Sequence, residues 1–233
     1  MTVPEIKYSW LSQPSVFLDI STKCNASCPQ CHRTNPNGLG QADWLPEVEW
    51  TLDQFKDAFP PSVLWQIPKF DMCGTWGDPL MNRHVDDIID YILQNSDSYL
   101  YINTNGSLRG DEWWWNLGKR SRKRVDVVFD IDGTTQEMHA KYRVGTNLSR
   151  ILSNMETYTT AGGIASVRTI VFQHNEEYLE DIEKLSREYG ANGRYHMTPS
   201  DRFPDGSSFE YTQNGKKKWL IKSSVSGEIN KRL

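Results

Sequence analysis

The chain has 233 residues, and its 26 Lys and Arg against 30 Asp and Glu give a formal net charge of −4, so it has no excess positive charge to hold a nucleic-acid backbone. With 37% hydrophobic and 12% aromatic residues it can bury a core, which excludes a disordered or collagen-like chain. No apolar run reaches the roughly 18–20 residues that span a bilayer, and the polar start Met1-Thr2-Val3-Pro4-Glu5 lacks the apolar stretch of a signal peptide. A cytoplasmic protein with no membrane partner is expected.

Candidate strands and helices alternate along the chain. Val16 to Ile20 reads as a first strand, and Thr51 to Phe59 as a helix capped by Thr51 and stopped at Pro60-Pro61. Lys69 to Cys73 is the second strand. Val85, Ile88, Ile89 and Ile92 recur at helical spacing within His84 to Gln94, so that helix packs one face on a sheet. Tyr99 to Asn103 alternates as a strand into the turn Thr104-Asn105-Gly106, Asp111 to Leu117 is a short helix carrying Trp113-Trp114-Trp115, and Val125 to Phe129 is the fourth strand. Gln136 to Ala161 reads as largely helical up to Gly162-Gly163. Ile164 to Phe172 is a fifth strand, Glu177 to Tyr189 a helix stopped by Gly190, and Arg194 to Met197 a sixth strand. Beyond about Ser200 the pattern decays into turn-rich sequence and a basic tail opened by Lys216-Lys217-Lys218, read as a terminal helix, a linker or the edge of something longer.

Six strands separated by helices argue for a parallel sheet with right-handed crossovers. Polar residues gather at the strand ends: Ser21-Thr22, Cys73-Gly74-Thr75, Asn103-Thr104-Asn105, Asp130 to Gly133, Gln173-His174-Asn175 and His196-Met197-Thr198. Parallel α/β architectures bind ligands at the carboxyl ends of their strands, so these residues mark an active-site mouth. A complete eight-unit barrel takes about 250 residues. At its length the chain forms an incomplete barrel or a different architecture.

Of four cysteines, Cys24, Cys28 and Cys31 fall in the loop after the first strand and Cys73 stands apart, which does not suit two structural disulfides. Three soft thiolates at this spacing select zinc or iron–sulfur over magnesium or calcium. A four-iron cluster on three ligands keeps one iron open, whereas structural zinc needs a fourth ligand, for which His32 is adjacent.

Cys24-Asn-Ala-Ser-Cys28-Pro-Gln-Cys31 after a first barrel strand resembles the signature of the radical S-adenosylmethionine (radical SAM) superfamily, and the resemblance covers residues from about 14 to 200. It implies a [4Fe–4S] cluster on Cys24, Cys28 and Cys31, with S-adenosylmethionine chelated at the open iron. One electron then cleaves the sulfonium, giving methionine and a 5′-deoxyadenosyl radical that abstracts a substrate hydrogen. An electron donor such as flavodoxin or ferredoxin is implied as partner. Trp76-Gly77-Asp78-Pro79 is similar to the family's Gly-Gly-Glu-Pro segment, which holds the amino group of the cofactor, with Asp78 in place of Glu. Asn103-Thr104-Asn105-Gly106 resembles the third-strand segment near the ribose, and Phe129 to Gly133 the fourth-strand segment, with Asp130 in place of a frequent Ser. Arg143 falls where family members place an arginine facing the methionine carboxylate, apt for a forked donor, and Gln30 stands where the family prefers an aromatic.

The resemblance implies a partial (β/α)6 TIM-like barrel over residues 1–200, with 201–233 as a tail or the start of a further C-terminal domain. Asp-Gly after the fourth strand, followed by Arg-x-Gly, is similar to the SPASM or twitch branch, whose members modify peptides or proteins and carry auxiliary clusters on later cysteines. No cysteine follows Cys73, so the chain is expected to lack those clusters or the domain that carries them. The alternatives are a small metabolite or nucleotide as substrate, or, outside enzymes, a zinc-stabilised interaction module with the tryptophan-rich helix as its surface.

The remaining features read as structural. Cys73 is expected as a small buried residue at a strand end, with a substrate-facing role as the alternative. His174 and His196, near strand ends, are candidate substrate contacts. The three consecutive tryptophans cannot share one helix face, so at least one reaches solvent or a partner. The basic run Lys119 to Arg124 is read as a solvated loop.

Overall fold

The computed structural model describes residues 15–121, 123–204 and 206–225. The polar start of the expected core, residues 1–14, the tail end at 226–233 and Arg122 of the basic run lie outside them. Six strands, β1 (Ser15–Leu18), β2 (Lys69–Met72), β3 (Tyr99–Thr104), β4 (Val125–Asp130), β5 (Ile164–Val171) and β6 (Tyr195–Pro199), form one sheet in sequence order, each parallel to the next. Because sequential strands are always neighbours, every crossover steps the same way along the sheet. That is the winding of a barrel rather than of an open doubly wound sheet.

Alternation along the strands decides which face receives the helices. In β3, Leu100 and Ile102 point outward into the main core, where they meet Phe70 and Met72 of β2 and Val127 and Phe129 of β4. Helix α3 (Val85–Asn95) covers this face with Ile88, Ile89 and Ile92 at the predicted spacing. Helices α4 (Asp111–Arg120) and α6 (Leu148–Thr160) add Trp114, Leu117, Ile151, Met155 and Tyr158. The opposite face stays polar, and Asp71, Tyr101, Val128, Arg168 and His196 from five consecutive strands line a single cavity of about 290 Å³. Five strands sharing one cavity describe a sheet curled into a half-barrel, as expected from the sequence.

Local signals set several boundaries. Thr51 caps α1 (Leu52–Ala58) in a reciprocal box with Gln54, and Pro61 then opens the short helix α2 (Pro61–Leu64), where its missing N–H is not needed. Among the tryptophans, Trp114 is fully buried, Trp113 donates to Asp86 and Trp115 is exposed, so one does reach solvent. The basic run is partly structural: Arg120 pairs with Asp86 and Asp90, and Arg124 binds the carbonyls of Leu93, Ser96 and Ser98.

Two predicted elements differ. The helix expected over 136–161 is two, α5 (Gln136–Ala140) and α6, because 141–147 leaves the helix to pack on the cysteine loop: Ser27 N–H donates to the Val144 carbonyl at 2.8 Å. Gly145 makes this possible with φ +89°, and a Cβ there would stand 3.1 Å from the Asn25 carbonyl oxygen. The tail expected to decay instead forms an antiparallel hairpin, β7 (Ser208–Gln213) and β8 (Lys216–Ile221), turned by Asn214-Gly215 with φ +52° and +72°. Phe203, Tyr211 and Leu220 pack with Cys28, Tyr142 and Phe172 in a second core, which joins the hairpin to the mouth of the half-barrel. Helix α7 (Leu179–Glu188) completes the outer layer. Among the described residues no helix is long and apolar enough to cross a membrane.

Candidate active site

The loop after β1 brings the three clustered cysteines together. Cys28 is buried and Cys24 and Cys31 half-buried, and all are free thiols. The turn between Cys28 and Cys31 is closed by a 3.0 Å backbone hydrogen bond, and Ala26 N–H donates to Cys24 Sγ at 3.3 Å. Arg33, itself buried, holds the loop from beneath through the Ala26 and Thr22 carbonyls. Burial pushes the Cys24 and Cys28 thiols up to about 12, with Asp78 raising Cys24 further and the Arg143 guanidinium drawing Cys28 back. Cys28 also feels both other sulfurs, and Cys24 feels Cys31.

Cys28 and Cys31 open onto a cavity of about 310 Å³ at the carboxyl ends of the strands, bounded also by Cys73, Asp130, Arg143 and Arg168. Arg143 is its main cation. Its Nε donates to Asp132 Oδ2 at 2.5 Å, its Nη1 pairs with Asp130 Oδ2 at 2.9 Å, and the same Nη1 lies 4.0 Å from Cys28 Sγ. Arg168 from β5 binds the other oxygen of Asp130 at 2.9 Å and reaches Asn103 Oδ1 at 3.2 Å. Asp130 is therefore compensated twice. Asp132 is fully buried, and burial raises its carboxyl although Arg143 pulls the other way.

The segment carrying Gly77, Asp78 and Pro79 is pinned to the cysteine loop. Asp78 N–H donates to the Lys23 carbonyl at 2.8 Å, and a Cβ on Gly77 would stand 2.2 Å from the Ser21 carbonyl oxygen, so only glycine fits. The Asp78 carboxylate turns inward and accepts from Leu80 N–H, Thr104 Oγ1, Asn105 N–H and Asn105 Nδ2 at 2.7–3.0 Å. Burial nevertheless pushes it up to about 6. Thr104 and Asn105 thus lock the loop after β2 to the end of β3, and Asn105 also reaches Asn25 at 2.7 Å beside Cys24.

Asn103 donates to Asp71 and stands lower in the half-barrel. Gln30 forms a clamp instead of an aromatic platform: it donates to the Arg202 carbonyl and accepts from Ser200, while Arg202 Nη1 donates to the Gln30 carbonyl. Cys73 is half-buried at the strand end, with Asp19 Oδ2 at 3.3 Å, and it borders the same cavity as Cys28. His32 is exposed beside Trp76, and among the described residues no three His, Cys, Asp or Glu side chains group closely enough to hold one metal ion. His196 lines the polar interior, whereas His174 borders a separate cavity next to the hairpin.

Sequence reasoning missed Arg168 and His139, and it placed Asp132 at the mouth without its partner. Asp132 is two residues from Asp130, so both can flank one guanidinium, a relation that the Asp-Ile-Asp spacing carries. Arg168 lies mid-strand with no motif. His139, buried and neutral, accepts from Asp132 N–H through Nδ1 and meets Thr146 through Nε2, anchoring the segment that carries Arg143.

A parallel half-barrel with a thiol-lined, arginine-capped cavity at the carboxyl ends of its strands defines an α/β scaffold for a soft-metal cofactor. The profile of the Radical SAM superfamily matches residues 18–186, and the chain belongs to that family. It is 24% identical over 189 residues to the mycofactocin maturase MftC of Mycobacterium ulcerans (strain Agy99), covering 80% of this chain and 48% of that protein. It is 23% identical over 182 residues to a probable GTP 3′,8-cyclase of Methanocaldococcus jannaschii, covering 76% of this chain and 56% of the relative. The chain thus spans about half the length of these curated relatives. Streptococcus suis SuiB bound to S-adenosylmethionine shares the fold with a TM-score of 0.65 at 12% identity, covering 94% of this chain and 43% of SuiB. SuiB bound to its precursor peptide SuiA gives 0.64 at 12% identity, with coverage of 79% and 38%.

The cofactors of this family are a [4Fe–4S] cluster and S-adenosylmethionine. The residues present suit them. The three thiols come from one loop and pack against Ala26, Tyr142 and Phe172, and Cys28 borders a buried guanidinium. Thiols held protonated by burial become ligands only by releasing their protons to the incoming metal.

Proposed function

We propose that this protein carries out radical SAM chemistry at the half-barrel mouth, with Cys24, Cys28 and Cys31 as the cluster ligands and a peptide or protein as substrate. When bound, the [4Fe–4S] cluster supplies the electron that cleaves S-adenosylmethionine to methionine and a 5′-deoxyadenosyl radical, which takes a hydrogen atom from the substrate. The chain's own residues bind, orient and keep water out. Arg143 pairs with Asp130 through Nη1 and Asp132 through Nε and, lining the cavity, serves as a carboxylate donor. Asp78, with Thr104 and Asn105, positions the backbone of Gly77 and Pro79 beside the cysteine loop rather than reaching the cofactor itself. Asn103 and Asp130 hold Arg168 at the boundary between this cavity and the barrel interior.

The observation that carries the reading is that Cys28 and Cys31 open onto a cavity bordered by the buried Arg143, with Cys24 on the same loop. Likeness to a maturase and to a peptide-bound fold relative supports a peptide substrate, while likeness to the probable GTP 3′,8-cyclase supports nucleotide as the second reading. Anaerobic reconstitution with iron and sulfide, reduction with dithionite and addition of S-adenosylmethionine test the reaction. A brown protein with a cluster EPR signal that releases 5′-deoxyadenosine is expected, and Cys28→Ala should abolish both. A colourless protein that binds one zinc, with Cys28→Ala indistinguishable from it, would refute the reading.

A further inference from the structure

We propose that the polar cavity inside the half-barrel, below the thiol-lined mouth, is a binding subsite for a substrate carboxylate, gripped by Lys69 and Arg194 and flanked by Asp71 as acceptor for an adjacent N–H. The inference deepens the proposed function, since it treats the half-barrel as the reaction chamber.

The cavity is lined from β2, β3, β4, β5 and β6 and holds Lys69, Arg168, Arg194 and His196 against the single acid Asp71. Its cations are not equally committed. Arg168 is bound to Asp130 and Asn103. Among the described residues neither Lys69 nor the exposed Arg194 makes a contact ion pair, although Lys69 acts on Asp71 and Arg194 on Asp126 through space, and Lys69 rests over the Tyr101 ring at 4.6 Å. Arg143 and Arg168 are held by carboxylates, whereas Lys69 and Arg194 on this cavity have no contact ion pair. Pairing them with a ligand anion completes what the protein leaves open.

The acid in the same cavity narrows the ligand class. Asp71 Oδ1 accepts from Asn103 Nδ2 at 2.8 Å, while Oδ2 has no hydrogen-bond partner among the described residues. A dianionic phosphate would meet a fixed carboxylate, whereas a carboxylate next to an N–H satisfies both signs, and this pairing occurs in amino acids and peptides. The position also fits a substrate contact. Arg168 and Thr198 border both this cavity and the one opened by Cys28 and Cys31, so a group anchored on Lys69 and Arg194 extends past Arg168 toward the thiols.

Titration of the protein with N-acetylglutamate, inorganic phosphate and the neutral N-acetylglutamine, followed by NMR of ¹⁵N-arginine side chains, tests the subsite. N-acetylglutamate is expected to bind most tightly and to shift the Arg194 signal. Lys69→Gln/Arg194→Gln should weaken it at least tenfold, while Arg194→Lys, which keeps the charge, stays within about threefold of the parent. Circular dichroism of each variant confirms that the fold is retained. The proposal is overturned if N-acetylglutamate binds no better than N-acetylglutamine, if phosphate binds more tightly than N-acetylglutamate, or if the double variant changes the affinity less than twofold. Release of 5′-deoxyadenosine by the parent protein is a separate measurement, so loss of the subsite and loss of the radical reading remain distinguishable.

Discussion

Replacing Arg143 by glutamine removes the cation that two buried carboxylates share. Arg143 is 8% exposed, Asp130 5% and Asp132 0%, so none of the three charges can turn to water when a partner leaves. At an effective dielectric near 20, each contact of about 4 Å between unit charges amounts to roughly 4 kcal/mol of gross attraction. The two acids have already lost hydration in the folded state, so the loss is not offset by resolvation. Asp130 retains Arg168, but Asp132 keeps only the Ile170 N–H at 2.6 Å. Breaking such a buried pair from one side costs about 3–5 kcal/mol. Arg143→Gln should therefore lose that much in urea unfolding of the metal-free, reduced protein at pH 7.5, at unchanged m-value. Asp132→Asn added to Arg143→Gln should recover at least about 1 kcal/mol, because it removes the stranded charge. With its cation gone, Asp132 titrates higher still in the fold than in the unfolded chain. The folded variant therefore takes up an extra proton, and the deficit shrinks as pH falls toward 5. A loss below about 1 kcal/mol, or additivity of the two substitutions, would refute the reasoning.

Gly77→Ala places its Cβ 2.2 Å from the Ser21 carbonyl oxygen, so it should cost at least about 2 kcal/mol in thermal unfolding and lower the iron retained after reconstitution. Asp78 is raised from 3.8 to about 6, so between those values the folded protein holds a proton that the unfolded chain has released. Its contribution to stability should fall by about 2 kcal/mol as pH rises from 4 to 6, and Asp78→Asn, compared with the parent at each pH, should erase that slope. His139 is lowered from 6.5 to about 3 by burial and Arg143, so the sign is opposite: its contribution is present above 6.5 and is lost as pH falls below it. His139→Gln should flatten this loss, which approaches about 1.4 kcal/mol for each pH unit below 6.5, in urea titrations at pH 5 and 7.

Much of the half-barrel was legible because strand and helix periods are local. Val85, Ile88, Ile89 and Ile92 announce α3, and Thr51 with Gln54 announces α1, each through contacts made within one turn. Two errors of reading have the same origin. Asn147 caps α6 by accepting from Arg150 N–H at 2.9 Å, and Asn214-Gly215 turns the hairpin, so both signals stand in the sequence. The helical composition around 141–147 and the basic composition of the tail mask them. What no local pattern could show is why 141–147 leaves the helix, since its hydrogen bond to Ser27 lies more than a hundred residues away along the chain.

The sequence by itself determined the parallel β/α rhythm, the three-cysteine loop and the family, because spacing of apolar residues and of thiols is written along one dimension. Tertiary structure alone decided how those parts divide the work. It turned Asp78 inward to brace a loop, set Asp132 beside Asp130 on one guanidinium, and left Lys69 and Arg194 on a shared cavity with neither in a contact ion pair. Such pairings depend on strands brought side by side across dozens of residues, and whether a charge is spent or open depends on the carboxylates that the fold places within reach.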